Sequence, residues 1–429
     1  MLVLFGKSIC VWKISIVQPC ILPWINFSTN TFGRPRTCGY ADQPTVKQNS
    51  KMKNSTIESE WNNDYFKSIR KDFLRGEWPE NCKRCKYVEE LDGSSKRIEE
   101  NKYHYETNKH LIDTTAPDGS VNYYPPQIDI RVGTICNLKC IHCGTGASSK
   151  WNEDKDMLNK YPNTEFYNAD NKWIEQDSYI WDNIKENLNQ TKRFNFLGGE
   201  PFANKQHNRF IGEVYNTPAA KEISLSYVSN GTLLTEKMFS QLVQFKELII
   251  RLSLDAIGIP GEYFRFPIKW DQFKTKLELM QRFAKENSHI DIGVQWTCSN
   301  VSMFYLTDTY DFIRHEYPDI RFIFCNHVEW PEHMSAQTLP LEIKLAAAER
   351  IQAYDFGDDA EYVPFYVNHM LEKDRWSDQG TVFMNYLDDL DNARNISWRK
   401  SFKEMELEKY DNNRQSTKRS STKSIQDIS

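Results

Sequence analysis

The sequence predicts an α/β protein with a parallel sheet, and three observations in residues 121–335 carry that prediction. Six short apolar runs have strand character, amphipathic stretches separate them, and polar residues collect where each run ends. The runs are Gln127–Val132, Arg193–Leu197, Glu222–Val228, Leu248–Leu254, Ile290–Trp296 and Asp319–Phe324. Their Ile, Val, Leu, Phe and Tyr content suits buried strands. Helical spacing joins Ile180, Ile184 and Leu188, then Met238, Leu242 and Phe245, then Phe273, Leu277 and Met280, and finally Phe304 with Phe312 and Ile313. Strand and helix alternating in this way read as βαβ units. A partial barrel and an open doubly wound sheet both satisfy the pattern.

In either architecture functional residues gather at the carboxyl ends of the strands. There the sequence places Cys136, then Gly198-Gly199-Glu200-Pro201, then Ser229-Asn230-Gly231. The next ends carry Ser253 and Asp255, Thr297 to Asn300, and Asn326 with His327.

Around this core, residues 1–17 read as an extension, 18–115 as an irregular cysteine-bearing region, and 336–411 as a helical extension. Residues 412–429, rich in Ser, Thr and Lys, have the composition of a disordered tail. The chain has 429 residues, 39% of them hydrophobic, with 24 Phe, 21 Tyr and 12 Trp, enough for a large core. A net charge of -5 gives no global reason to expect nucleic acid as a partner. The apolar start is broken by Lys7 and Lys13 and lacks a signal-peptide pattern, and no run is long enough to span a membrane. A cytoplasmic protein is the expectation.

In a reducing compartment the ten cysteines are expected as thiols or metal ligands, not disulfides. Cys298 and Cys325 lie in strand-like runs and read as small buried hydrophobes. Cys136, Cys140 and Cys143 place three thiolates within eight residues directly after a strand. Thiolates suit iron–sulfur clusters, zinc or copper(I), and a structural zinc site wants four protein ligands. A zinc loop completed by a distant His or Cys and a cluster with one open iron both remain possible on the spacing alone.

The Cys136-x3-Cys140-x2-Cys143 pattern resembles the signature of the radical SAM superfamily. Gly198-Gly199-Glu200-Pro201, after the second strand, is similar to that family's GGEP motif. The resemblance implies a partial (β/α)6 TIM-like barrel, with a [4Fe–4S] cluster on the three cysteines and its fourth iron chelated by S-adenosylmethionine. It implies that Glu200 meets the methionine ammonium, with the glycines allowing close backbone approach. It further implies cofactor contacts for Ser229, Asn230, Ser253, Asp255 and Asn300, and a carboxylate-binding role for Arg265. His142 departs from the aromatic residue usual before the last cysteine, and an imidazole there can still stack on adenine.

Cys20, Cys38, Cys82 and Cys85 are enough for a closed tetrathiolate site, zinc or iron–sulfur. Their order, with Gly33 turning the chain between the first two, resembles the twitch/SPASM auxiliary-cluster domain, here preceding the core. The segment from Phe383 to Arg399, with Asp389, Asp391 and Arg394, also resembles the end of that group. The implied activity is an oxidoreductase-like radical SAM enzyme. Its substrate would be a peptide or protein, or alternatively a small molecule, and a flavodoxin- or ferredoxin-type partner would reduce it. A non-catalytic zinc or iron–sulfur scaffold is the competing class.

Overall fold

In the computed structural model of the chain, residues 18–41, 52, 55–161, 173–176 and 179–411 are described. The expected extension at 1–17 and the expected tail at 412–429 lie outside these residues. The described residues divide into two compact units, within the bounds Met1–Thr29 with Arg34–Ile128, and Asn30–Gly33 with Asp129–Ser429.

In the first unit a short antiparallel ladder joins β1 (Asn26–Thr29) to β2 (Pro35–Arg36), with Ser28 opposite Arg36. Its core is aromatic: Phe27 stacks on Phe66 at 5.7 Å, and Trp61 lies 4.9 Å from Phe66. Three helices follow, two with polar side-chain caps and one closed by a glycine. Asn63 caps Asp64–Leu74, Gly93 ends Lys83–Asp92 in the left-handed region, and Ser95 caps Lys96–Asn108.

The second unit is the α/β part. β3 (Gln127–Arg131), β4 (Arg193–Leu197), β5 (Ser224–Ser229), β6 (Glu247–Ser253), β7 (Ile290–Cys298) and β8 (Arg321–His327) lie side by side in sequence order. The four pairings from β4 to β8 are parallel. All six expected strands are present, most of them displaced by one or two residues at their ends.

The strands differ from the sequence expectation in one respect. They alternate instead of being buried on both faces, with Phe194 and Phe196, Leu225 and Tyr227, and Leu248, Ile250 and Leu252 buried. The intervening residues, among them Asn195, Ser226, Arg251 and Gln295, are half-exposed. The reason is that helices cover the apolar face: Trp181 packs 5.0 Å from Phe210 and 6.1 Å from Phe196. Cys298 is buried as expected, but Cys325 faces the other way, half-buried against the Gln295 amide at 2.7 Å.

Polar caps fix where the helices begin. The Asn204 side chain accepts from the His207 N–H to open the helix Lys205–Val214, and also donates to the Val132 carbonyl at 3.3 Å. Ser299 and Ser302 form a reciprocal capping box after β7. Among the described residues no helix is long and apolar enough to cross a membrane.

Phe196 is fully buried, with rings of Phe194, His207 and Tyr227 within 5.6 Å. Phe196→Ala is expected to cost about 3–5 kcal/mol, read as a lower urea midpoint at unchanged slope.

Candidate functional site

The loop after β3 carries Cys136, Cys140 and Cys143, all free and half-buried. Its shape comes from backbone contacts with two neighbouring segments. On one side Gly199 N–H donates to the Gly133 carbonyl at 2.9 Å, and Glu200 N–H to the Ile135 carbonyl at 2.7 Å. A Cβ on Gly199 would lie 2.2 Å from the Ile135 oxygen, and Gly198 sits at φ +122° with a Cβ position 2.9 Å from Gly133. The two glycines therefore let the end of β4 dock on the cysteine loop itself. On the other side Lys139 and Ile141 donate to the carbonyls of Phe266 and Phe264.

Glu200 is completely buried, and its carboxylate binds the end of β5. One oxygen accepts from the Ser229 hydroxyl at 2.8 Å and from Phe202 N–H at 3.1 Å. The other accepts from Asn230 N–H at 2.7 Å. Asn230 in turn reaches Asn137 at 2.9 Å and the Cys136 sulfur at 3.8 Å. The ends of β3, β4 and β5 thus meet in one hydrogen-bonded cluster containing Cys136, Glu200, Ser229 and Asn230. Pro201 opens the short turn that Glu200 caps. Burial pushes the Glu200 carboxyl up to about 7 despite its three donors.

Arg265 and Asp255 form a second group beside Cys140. Both are buried and pair at 2.6 Å, and the guanidinium lies 3.8 Å from the Cys140 sulfur. The carboxylate that Arg265 meets here is that of Asp255. His142 packs on Phe264 at 4.9 Å with Nδ1 buried and unpartnered, and burial pushes its pKa down, favouring the neutral ring. Ser253 is half-buried at the end of β6. Asn300 is committed elsewhere: it is fully buried, and its amide donates to the carbonyls of His333 and Thr338.

Burial pushes the Cys140 and Cys143 thiols up to about 12, and raises Cys136 as well. Thiolates here need a cationic partner, which suits soft-metal ligation. Among the described residues no three Cys, His, Asp or Glu side chains close on the space of one ion. A multi-iron group, in which each thiolate serves its own iron, needs no such closure. The donor set fits that group.

Several site residues carried no motif. Lys139, inside the cysteine loop, pairs with Asp154 at 2.6 Å, and Asp154 accepts from Arg394 Nε at 2.8 Å. The Tyr386 hydroxyl donates to the Ile141 carbonyl at 2.7 Å. Tyr386 and Arg394 both belong to the helix Trp376–Arg394. Arg394 falls in the segment Phe383 to Arg399 that the sequence singles out by resemblance, whereas nothing in the sequence marks Tyr386, Lys139 or Asp154 individually.

Residues 130–313 match the family described as the Radical SAM superfamily. That segment, less than half of the chain, is similar to the radical SAM superfamily. The radical SAM cyclopropyl synthase TigE of Paramaledivibacter caminithermalis is 25% identical over 166 residues, 38% of this chain and 34% of that protein. The chain thus spans about a third of that relative's length. Among solved structures, anSMEcpe with bound AdoMet is 20% identical over 46% of this chain and 51% of that one, with a TM-score of 0.34. Streptococcus suis SuiB bound to precursor peptide SuiA is 15% identical, covering 68% and 61%, with a TM-score of 0.31.

Within the first unit, Cys20, Cys38, Cys82 and Cys85 line one pocket with Lys96 and Arg97. Cys20 is buried because its neighbours are pinned. Arg97 donates to the Gln18 carbonyl, and Asn101 bonds the Pro19 carbonyl and Ile21 N–H. Burial raises the Cys20 and Cys38 thiols, and each gains further from the other cysteines' charge. Gly33 holds φ +75° in the turn that follows β1.

The Glu200 shift gives a signed prediction. A carboxyl near 7 in the folded state and 4.5 when unfolded keeps its proton longer when folded. Stability of the metal-free protein should therefore fall as pH rises from about 5 to about 7, by up to roughly 3 kcal/mol, and level off above. Glu200→Gln should flatten that slope in urea unfolding measured across the same window.

Proposed function

We propose that the chain is a radical SAM enzyme that removes a hydrogen atom from a peptide or protein substrate. The observation that carries the reading is the junction of Cys136, Glu200 and Asn230, where three strand ends hold a three-thiolate loop against a buried carboxylate. When bound, a [4Fe–4S] cluster with S-adenosylmethionine supplies reductive cleavage to a 5′-deoxyadenosyl radical.

The chain's own residues prepare for that chemistry. Cys136, Cys140 and Cys143 would hold three irons and leave the fourth open to a chelating amino acid. Glu200 offers a buried carboxyl whose two oxygens are oriented by three protein donors and whose negative charge an ammonium ligand would favour. Arg265 places a buried cation at the Cys140 sulfur, offsetting thiolate charge. Ser229, Asn230, Ser253, Asp255 and His142 stand at or beside the same strand ends, where the adenosyl and methionyl groups would lie. Asn300 serves the same face indirectly by holding the 333–338 segment.

The pocket of four cysteines in the first unit supports a second, auxiliary iron–sulfur cluster of the twitch/SPASM kind. Resemblance to that group is what favours a peptide substrate. The electron would come from a flavodoxin- or ferredoxin-type donor, in the cytoplasm.

Anaerobically reconstituted protein is expected to be brown, to hold about eight irons if both sites carry four-iron clusters, and to release 5′-deoxyadenosine from S-adenosylmethionine with a reductant. Cys140→Ala should abolish that release, and Cys82→Ala should lose about half the iron. A colourless protein holding only zinc would sink the reading.

A further inference from the structure

The cysteine loop is anchored from outside by a buried charge chain that the proposed chemistry does not use. Lys139 lies between the first two cysteine ligands, and its ammonium meets Asp154 at 2.6 Å. The opposite oxygen of Asp154 accepts from Arg394 Nε at 2.8 Å, from a residue 240 positions away. The side chains of Arg394, Asp154 and Lys139 are 0%, 4% and 6% exposed. Nη1 and Nη2 of Arg394 are buried without a hydrogen-bond partner. The guanidinium instead lies over Trp151 at 4.4 Å and Phe266 at 5.2 Å. Phe266 also accepts from Lys139 N–H, so the same segment touches both cations.

The chain holds two buried cations against one buried anion. Glu153 reaches Lys139 at 3.3 Å, but it is 52% exposed and shared with Lys150, so solvent screens it. Two turns up the helix, Tyr386 holds the carbonyl between Cys140 and His142, and its hydroxyl lies in the field of Cys140, Cys143, Asp154 and Arg394 together. Burial of an arginine with two idle donors is costly, and a purely structural contact at this place would be met as well by an apolar side chain. A net positive charge beside a redox centre is what the costly residue provides.

We propose that Arg394, through Asp154 and Lys139, is a positioning residue for the reduction step: it fixes the cysteine loop and makes electron uptake there more favourable. The inference rests on the radical SAM reading of that loop. It assigns a function to the helix Trp376–Arg394, whose tip lies far along the chain from the cysteines.

The test is an EPR-monitored redox titration of the full-length, anaerobically reconstituted protein. The relevant signal is the one that changes when S-adenosylmethionine is added. A unit charge on the order of 10 Å from a redox centre, at an effective dielectric of about 20, changes the reduction equilibrium roughly tenfold. Arg394→Met should therefore make reduction roughly tenfold less favourable, and Asp154→Asn should make it more favourable by a similar factor. Arg394→Lys should stay close to the parent, because only Nε bonds Asp154 and a single donor with a charge can replace it.

Shifts of Arg394→Met and Asp154→Asn in the same direction, or no shift, overturn the proposal. If Arg394→Met loses the cluster altogether, the other two variants decide. An upward shift in Asp154→Asn with an unchanged Arg394→Lys supports the proposal, and any other pair of results overturns it. A parent protein with no signal responsive to S-adenosylmethionine overturns the radical SAM reading instead, which is a different result.

Discussion

The site depends on two consecutive backbone hydrogen bonds, from Gly199 to Gly133 and from Glu200 to Ile135. They extend the β3–β4 contact past the end of the sheet and carry it into the loop that holds the cysteines. No side chain larger than hydrogen fits at Gly199, since a Cβ would intrude on the Ile135 carbonyl. With that contact made, Glu200 is carried inward to where Ser229 and Asn230 can bind it. Asn230 is then held at Cys136. Remove the close approach and the carboxylate loses its burial, the β5 end loses its partner, and the loop loses one wall.

The opposite wall is made differently. Backbone bonds to Phe264 and Phe266 shape the loop there, and the cations Arg265, Lys139 and Arg394 stand around it. A carboxylate accompanies the guanidinium of each arginine: Asp255 for Arg265 and Asp154 for Arg394. Pairing limits the desolvation penalty of each ion without cancelling the local positive field. One wall of the loop thus presents a carboxylate and amides, the other guanidinium and ammonium groups.

Much of this was readable in the sequence where the signal is local. Strand runs such as Leu248–Leu254 are apolar and β-branched, and the cysteine and GGEP patterns each fall at the end of one. The polar second face of the sheet was missed because Asn195, Ser226 and Gln295 sit singly among apolar neighbours, and periodicity over five residues does not separate one-sided from two-sided burial. The partner of Arg265 was not legible, since nothing in its own neighbourhood announces Asp255 as a buried carboxylate beside it. Arg394 and Asp154 pair across 240 residues, and no propensity or period encodes such a contact. The resemblance of the segment Phe383 to Arg399 marked Arg394 but gave no hint of the partner it meets.

The thiols give the last constraint. Burial favours the protonated forms of Cys140 and Cys143, so in the proposed function loading the loop would release protons. That release is unfavourable in a dry setting unless positive charge is already in place. Arg265 lowers the cost at Cys140 and Cys143 directly. None of the contacts of the Arg394–Asp154–Lys139 chain passes through a cysteine sulfur, so they brace the loop independently of any ligand on the thiols. A loop shaped before loading loses less conformational entropy when the thiolates bind than one ordered by the metal itself. The polar anchors far from the motif therefore belong to the same physical problem as the cysteines they surround.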